Sequence, residues 1–306
     1  MIMNNHFRIL EYSRKYEKEL SSLYYQSYGR KKPISYFRYR LKKNHIGKPI
    51  AYVMKFKNKL VGFYALSPIY IIVDKKKYLG AYSFLTMTHK EFSGQGIFSQ
   101  LATKAFKKAK EKKYNFIMGF ANNNSFALFV KKFDFVELEP INYIKLKISA
   151  NNNSTRKITK SVSKKNPVFF TNMYTKNFSV YIQRNFEYFD YRINQNSQNY
   201  LVFQSNDMFC IFKKYDNELQ LLEFSSKNSQ ESLSQILSLS YFLMKKSNSD
   251  YVTSWIPEKH ILNKFSYSKK LKPYSHFIIK SLNPKITRKI TKISNWHYTM
   301  SDADVF

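Results

Sequence analysis

FSGQGIFSQLATKAFKKAKEKK, residues 92–113, decides how this chain is read. Seven glycines serve all 306 residues, and two of them, Gly94 and Gly96, stand here with one residue between. After them Phe98, Leu101, Ala102, Ala105, Phe106 and Ala109 recur on one helical stripe. Before them, YLGAYSFLTMTH (78–89) reads as a long strand. A strand, a glycine turn and a helix in that order suit an anion. The first amides of a helix lack intrahelical acceptors, and that end carries roughly +0.5 of a charge. Gly94 and Gly96 remove the Cβ atoms that would hold an anion away, and they permit positive φ. The donors are then the main-chain N–H groups of Gln95 to Ser99. The spacing is not G-x-G-x-x-G, and no lysine stands in Walker A position, so neither a dinucleotide nor a nucleoside triphosphate site is indicated. Taken alone, G-x-G before a helix is equally a simple tight turn.

Working outward, EYSRKYEKELSSLYYQSY (11–28) carries Tyr16, Leu20, Leu23 and Tyr24 on one helical face. PIAYVMKF (49–56) and LVGFYALSPIYIIV (60–73) read as strands around the turn Lys57-Asn58-Lys59, and KKKY (75–78) reads as a polar turn. NFIMGF (115–120) reads as a strand. SFALFVKKF (125–133) is a short helix with Ser125 at its N-cap. FVELEPINYIKLKI (135–148) is strand material broken at Pro140. NNNSTRKITKSVSKKN (151–166) has no periodicity and reads as a linker.

Beyond that linker the pattern recurs in order. YFRYRLKKN (36–44) is echoed by YFDYRINQN (188–196), and SQLATKAFKKAKEKK (99–113) by SQILSLSYFLMKKSN (234–248). NFIMGF (115–120) is echoed by DYVTSW (250–255), and LEPINYIKLK (138–147) by LKPYSHFIIK (271–280). Four echoes at similar spacing indicate a duplicated module. Where the first copy has FSGQGIF, the second has SSKNSQES (225–232), without glycine. The copies are expected to share a fold and to differ in chemistry.

Composition sets the outer limits. The one cysteine, Cys210, can build neither a disulfide framework nor a zinc cluster. No run is long enough to span a bilayer, and the first twenty residues hold no continuous apolar stretch of the secretory kind. The expectation is a cytoplasmic protein. Fifty-two Lys and Arg against twenty Asp and Glu give a net charge of +32. The lysines are scattered in doublets and triplets, and no nucleic-acid motif accompanies them, so no specific nucleic acid is expected. The charge is either compositional or a field that attracts anionic substrates and the inner face of a membrane.

The stretch LTMTHKEFSGQGIFSQLATKAFKKAKEKKYNFIMGFANNNSFALFVKKFDF (85–135) resembles the acetyl-CoA-binding core of the GNAT N-acyltransferases. The resemblance implies an α/β fold with a mixed sheet and acetyl-CoA, or another acyl-CoA, as co-substrate, without a metal. Thr86, Met87 and Thr88 would supply the strand that presents the thioester carbonyl. Ser93, Gly94, Gln95, Gly96, Ile97, Phe98 and Ser99 would supply the pyrophosphate loop. Asn122 and Asn124 would contact the pantetheine arm or order the splay between strands, and Phe126 and Phe129 would line the arm. The pattern departs from the family at Ser93, where Arg or Gln is usual, at Phe98 in place of Gly or Ala, and at Asp134 in place of Gly. Val130 stands where a general-acid tyrosine is often found. The order of motifs is similar to tandem-GNAT proteins of bacterial surface-polysaccharide synthesis. Two tandem GNAT-like modules are therefore expected, the second degenerate. Residues 1–150 form the acyl-CoA-binding domain, 151–166 the linker and 167–306 the second domain, whose tail returns to the cleft.

Acyl transfer from a thioester to an amine needs a neutral amine, a held oxyanion and a proton for the thiolate. Backbone amides near Met87 and Thr88 can hold the oxyanion. Glu91, Glu137 and Asp302 are the candidate catalytic carboxylates. Glu91 also reads as a surface turn residue. Glu137 and Glu139 alternate along a strand and are expected on one face. Asp302 and Asp304 lie in the tail SDADVF, suited to an acceptor ammonium or to nearby lysines. His89 and Trp296 read as structural, Tyr143 as a second choice for general acid, and Arg40 and Arg192 as clamps within their modules. The expected reaction is transfer of an acetyl or short acyl group to a small-molecule primary amine. The acceptor expected is an anionic one, an amino sugar on a nucleotide or lipid-linked carrier. The alternatives are a tRNA-dependent aminoacyltransferase of the Fem type, or a GNAT scaffold that binds CoA without turnover.

Overall fold

The computed structural model describes residues 7–148, 159–163, 178–195, 199–205, 208–226, 231–257 and 267–303. Most of the expected linker and Asp304 lie outside these residues. The chain forms two compact units, one of residues 1–70 and 78–119, the other of 71–77 and 120–306.

The first unit opens with β1 (Phe7–Glu11), α1 (Glu17–Tyr28) and α2 (Ile34–Leu41). Next come β2 (Ile50–Phe56), β3 (Lys59–Val73), β4 (Lys76–Thr88), α3 (Ile97–Glu111) and the start of β5 (Phe116–Asn122). The sheet order is β1-β2-β3-β4-β5. β1, β2 and β3 pair antiparallel. β5 returns parallel to β4, Ala81 and Tyr82 facing Ile117 and Met118, because a helix intervenes. The expected stripe of α3 is buried at Leu101, Ala102, Ala105, Phe106 and Ala109. Gly62 on β3 makes this packing possible: a Cβ there would lie 2.3 Å from Ile97 Cγ2 and 3.0 Å from Leu101 Cδ1. α1 buries Leu20 and Leu23 and stops at Gly29 (φ 70), whose N–H donates to Tyr25 O at 2.8 Å.

In the second unit α4 (Asn123–Phe133) leads to β6 (Val136–Pro140), β7 (Tyr143–Leu146) and β8 (Val180–Ile182). α5 (Phe186–Phe189) runs into a π-helical turn, Asp190–Asn194. β9 (Tyr200–Gln204), β10 (Met208–Tyr215), β11 (Glu218–Ser226), α6 (Glu231–Lys246) and β12 (Tyr251–Trp255) repeat the plan of β2 to β5. The first three strands are antiparallel, and β12 returns parallel to β11. β13 (Tyr267–Lys270), β14 (Ser275–Ser281), α7 (Pro284–Ile290), β15 (Trp296–His297) and a 3₁₀ turn at Met300–Asp302 complete it. One sheet runs β13-β7-β12-β11-β10-β9. Leu219, Leu221 and Val252 of this sheet pack under Ile236, Leu239 and Leu243 of α6. Within the same unit the end of β5 lies beside β14, which pairs with β6. The tip of β3 pairs with β8.

The architecture is a mixed α/β fold with two mixed sheets. The echoed strands change places: β7, from the first echo, stands beside β12, and β14, from the second, stands beside β5. The break at Pro140 is thus a change of sheet. Two local readings are corrected. α4 begins two residues earlier than expected, with Asn122 rather than Ser125 as N-cap, because its Oδ1 accepts from the amides of both Asn124 and Ser125. The β3–β4 turn sits at Asp74-Lys75, both at positive φ, so β4 takes in Lys76–Tyr78.

Candidate active site

β4 ends at Thr88 and passes through a 3₁₀ turn, Lys90–Phe92, into the loop. Gly94 lies at φ 78 and Gly96 at φ 75. A Cβ on Gly94 would meet nothing within 4 Å, and one on Gly96 only Gln100 Nε2 at 3.9 Å. These glycines are required by backbone conformation, and the space above them is open. Ser93, Gly94, Gln95 and Gly96 are exposed. Gly96 is the N-cap of α3, and no side chain caps the helix. Its first turn is held from beneath by buried Ile97 and Ser99, while Phe98 meets the Tyr64 ring edge-on at 5.4 Å. The loop is an outward-facing set of main-chain donors on an anchored helix.

β4 itself is broken at Leu85, which adopts φ 50. His89 N–H donates to Val61 O on β3 at 2.9 Å. Backbone groups alternate between the edges of a strand, so Met87 shares the β3 edge with His89, and Thr86 and Thr88 face the other. There the carbonyl of Thr88 accepts from Ser27 Oγ at 3.0 Å and that of Thr86 from the Tyr28 hydroxyl. The end of α1 thus closes over the far edge of β4. Thr86 and Thr88 are half-buried, Met87 buried.

Glu91 is exposed and ion-paired to Lys59 at 3.0 Å. The hydrogen bond and charge of Lys59 hold its carboxyl below the usual glutamate range. His89 is buried, and its Nδ1 accepts from the Glu91 amide at 3.3 Å. Burial, then the Lys59 charge, lowers its imidazole below the ordinary value. Arg40 is buried and lies over the Tyr36 and Phe84 rings, 5.7 and 5.5 Å from their centroids.

The second unit holds the remaining candidates. Asn122 spends its side chain on the α4 cap, and Asn124 is exposed. Phe126 stacks on His276 at 4.0 Å with 17° between the rings. His276 places Nδ1 2.7 Å from Glu137 Oε1 and Nε2 2.9 Å from Asn123 Oδ1. Glu139 accepts instead from Tyr298. Glu137 and Glu139 therefore do not share a face. A bulge skips Leu138, so that Phe277 pairs with Glu139 and Ile278 with Glu137.

Asp302 is fully buried. Its Oδ2 takes Arg184 Nη2 at 2.5 Å and the Thr299 amide at 2.9 Å, and its Oδ1 takes the Tyr188 hydroxyl at 3.2 Å. Burial pushes its carboxyl up, against the Arg184 charge. Arg184 also donates through Nε to Glu223 at 3.0 Å, and Arg192 donates to the carbonyls of Ser301 and Ala303. Tyr143 is buried and donates to Glu218 at 2.6 Å; burial, then that bond, raises its phenol. Trp296 is buried with Nε1 on Ile290 O at 2.7 Å. Among the described residues no cluster of His, Cys, Asp and Glu could hold a metal, and no helix is long and apolar enough to cross a membrane.

Residues 8–135 match the family model described as acetyltransferase (GNAT) domain. This segment is thus similar to GNAT acetyltransferase domains, and the match covers less than half of the chain. Its fold is similar to that of a GCN5-related N-acetyltransferase from Kribbella flavida: TM-score 0.69, 10% identity, covering 90% of this chain and 71% of that one. A GCN5-related N-acetyltransferase from Anabaena variabilis gives 0.60 at 12% identity, covering 90% and 73%. N-myristoyltransferase of Saccharomyces cerevisiae, solved with bound myristoyl-CoA, gives 0.66 at 12% identity, covering 94% and 85%. At these identities the likeness is one of fold. No curated protein matches the sequence at a significant level.

The matched segment contains the strand Thr86–Thr88, the loop Ser93–Ser99, Glu91, Asn122, Asn124 and Phe126. Glu137 and Asp302 lie beyond it. Three polar residues escaped the sequence reading: Ser27, Tyr28 and His276. Ser27 and Tyr28 follow Tyr24 at i+3 and i+4, so extending the α1 face would have found two of them. His276 had no local signal, because its partners stand 139 and 153 positions away.

Proposed function

We propose that the chain is a GNAT-type acyl-CoA-dependent N-acyltransferase that carries an acetyl or short acyl group from coenzyme A to a primary amine. The acceptor class we favour is an amino sugar on a nucleotide or lipid-linked carrier. The observation that carries the donor half is the loop after β4: two left-handed glycines with open space above them, ahead of an uncapped helix. Phosphate oxygens are the natural acceptors for those amides. Ser93, Gly94, Gln95, Gly96, Ile97, Phe98 and Ser99 form the pyrophosphate cradle. The edge of β4 that bears Thr86 and Thr88 lies along the acyl-pantetheine, and the Thr88 amide is the donor suited to the oxyanion. The net charge of +32 favours an anionic acceptor.

Of the three carboxylates, Glu137 is the one hydrogen-bonded to an imidazole, that of His276 at 2.7 Å, and it is our choice for accepting the amine proton. Glu91 is held ionised by Lys59, and Asp302 has no exposed face to offer an ammonium.

The test combines calorimetry with coenzyme A and a thiol-release assay with acetyl-CoA and a panel of amines. The panel comprises free hexosamine, a nucleoside-diphosphate-linked hexosamine and an unrelated alkylamine. The expected result is binding of one coenzyme per chain and fastest release with the nucleotide-linked amine. Binding without release from any amine would favour the scaffold reading, and no binding would remove the donor assignment.

A further inference from the structure

The sheet β13-β7-β12-β11-β10-β9 has two unlike faces. Leu219, Leu221, Val252 and Ile144 lie in the apolar cluster under α6. Side chains alternate along a strand, so Glu218, Gln220, Thr253 and Tyr143 face the opposite side. There Glu218 stands in one row between Tyr215 of β10 and Tyr251 of β12. Tyr143 reaches it from β7, and the Tyr274 ring meets that of Tyr143 edge-on at 5.3 Å. Glu218 is 8% exposed, whereas Tyr215 and Tyr274 are 42% and 40% exposed. The carboxylate is a floor beneath a rim of rings.

Among the described residues, neutral groups hold this carboxylate. Its Oε2 accepts from the Tyr143 hydroxyl at 2.6 Å and from Thr253 Oγ1 at 3.2 Å, and its Oε1 accepts from Gln220 Nε2. No described Lys, Arg or His forms an ion pair with it. A buried carboxylate without a cation is costly, and this chain carries a net charge of +32. Gln220 adds a second unspent acceptor. Its amide gives Nε2 to Glu218, so Oε1 is left over, and that atom is buried without a hydrogen-bond partner in a residue 3% exposed. The rings suit a cation as well: the Lys145 ammonium lies over Tyr251, 4.4 Å from the ring centroid. We propose that Glu218, Gln220 and the tyrosines around them bind the ammonium head of a small protonated primary amine. Its N–H groups meet Oε1 of Glu218 and Oε1 of Gln220, which stand side by side through their shared hydrogen bond. A quaternary ammonium has no N–H and would leave Gln220 unpaired, and the depth of Glu218 admits only a slender head. The site lies wholly in the second unit and does not rest on the coenzyme reading.

The test is calorimetry on the full chain without coenzyme at pH 7, with n-butylammonium, tetramethylammonium and the neutral 1-butanol as probes. The wild type should bind butylammonium, should bind tetramethylammonium about tenfold more weakly, and should give no heat with butanol. Glu218→Gln keeps the shape and removes the charge, and should weaken butylammonium about 10- to 100-fold, the range for a hydrogen bond to a charged group. Tyr274→Ala changes an exposed rim position that the fold tolerates, and should weaken it about two- to fivefold. If Glu218→Gln fails to fold, the Tyr274→Ala titration decides. Three results overturn the proposal: no butylammonium heat in the wild type, heat that survives unchanged in the variants and so arises elsewhere, or tetramethylammonium bound as tightly as butylammonium. None of them touches the coenzyme assignment, which is read from coenzyme A binding alone.

Discussion

β4 and β11 occupy the same place in their respective strand–helix–strand plans, and each breaks near its C-terminal end. In β4 the break is the left-handed Leu85; in β11 it is a bulge at Leu222, where Ile211 pairs with Glu223 and Phe212 with Leu221. Beyond the first break the residues are half-buried, their carbonyls touched by Ser27 and Tyr28, and an exposed glycine loop follows. Beyond the second, Glu223 is fully buried. Its Oε2 takes Thr299 Oγ1 at 3.0 Å, Ser301 Oγ at 2.6 Å and Arg184 Nε at 3.0 Å. The chain's own tail fills the second strand end, while the first is left with open space over its loop. Two runs of the same strand–helix–strand plan thus differ in what their strand ends leave open. A ligand needs unspent donors, and only one copy keeps glycines that leave them uncovered.

The largest expected effect comes from removing the filling. Arg184→Met leaves Glu223 and Asp302 as buried carboxylates without their cation, at a cost of about 3–5 kcal/mol. Chemical denaturation should show that loss, and wild-type stability would mean the tail is not held as described.

Next comes the open copy. Gly96→Val forces a β-branched residue to φ 75 at the first turn of α3, which costs on the order of 1–3 kcal/mol in backbone strain or displaces the amides. Coenzyme affinity should fall about 10- to 100-fold by calorimetry. The wild type should titrate with one coenzyme per chain, and a stoichiometry of two would break the contrast between the copies.

A smaller effect concerns pH. The Asp302 carboxyl is raised above its ordinary value by burial, so its contribution to stability is complete below the ordinary aspartate range. It is lost as pH rises through the raised value. Wild type should therefore lose stability relative to Asp302→Asn as pH rises from about 4, the ordinary aspartate value. A constant difference would mean that Arg184 fully offsets the burial. The smallest effect is local: Asn122→Ala removes the α4 cap and should cost about 1 kcal/mol. Thermal melting would show it.

Much of the fold was legible from local pattern. The α3 stripe, the glycine turn and the strands around it all depend on residues within a few positions of one another. Ser27 and Tyr28 were legible in principle, one turn beyond the face already recognised. The Asn122 cap and the opposite facing of Glu137 and Glu139 were not. A cap depends on which of several polar residues bends back, and the bulge at Leu138 is a matter of pairing with β14.

The sequence alone determined that a glycine turn would lead into an amphipathic helix at residues 93–99, because glycine placement and helical periodicity are properties of contiguous residues. It also determined that a second strand–helix–strand run would follow without glycines before its helix. Only the tertiary structure decided that β7 and β14 change sheets, that His276 meets Glu137, and that Arg184 joins Glu223 to Asp302. The His276–Glu137 and Arg184–Asp302 contacts unite residues 139 and 118 positions apart. Their free energy comes from burial and shared hydrogen bonds that no short window of sequence contains.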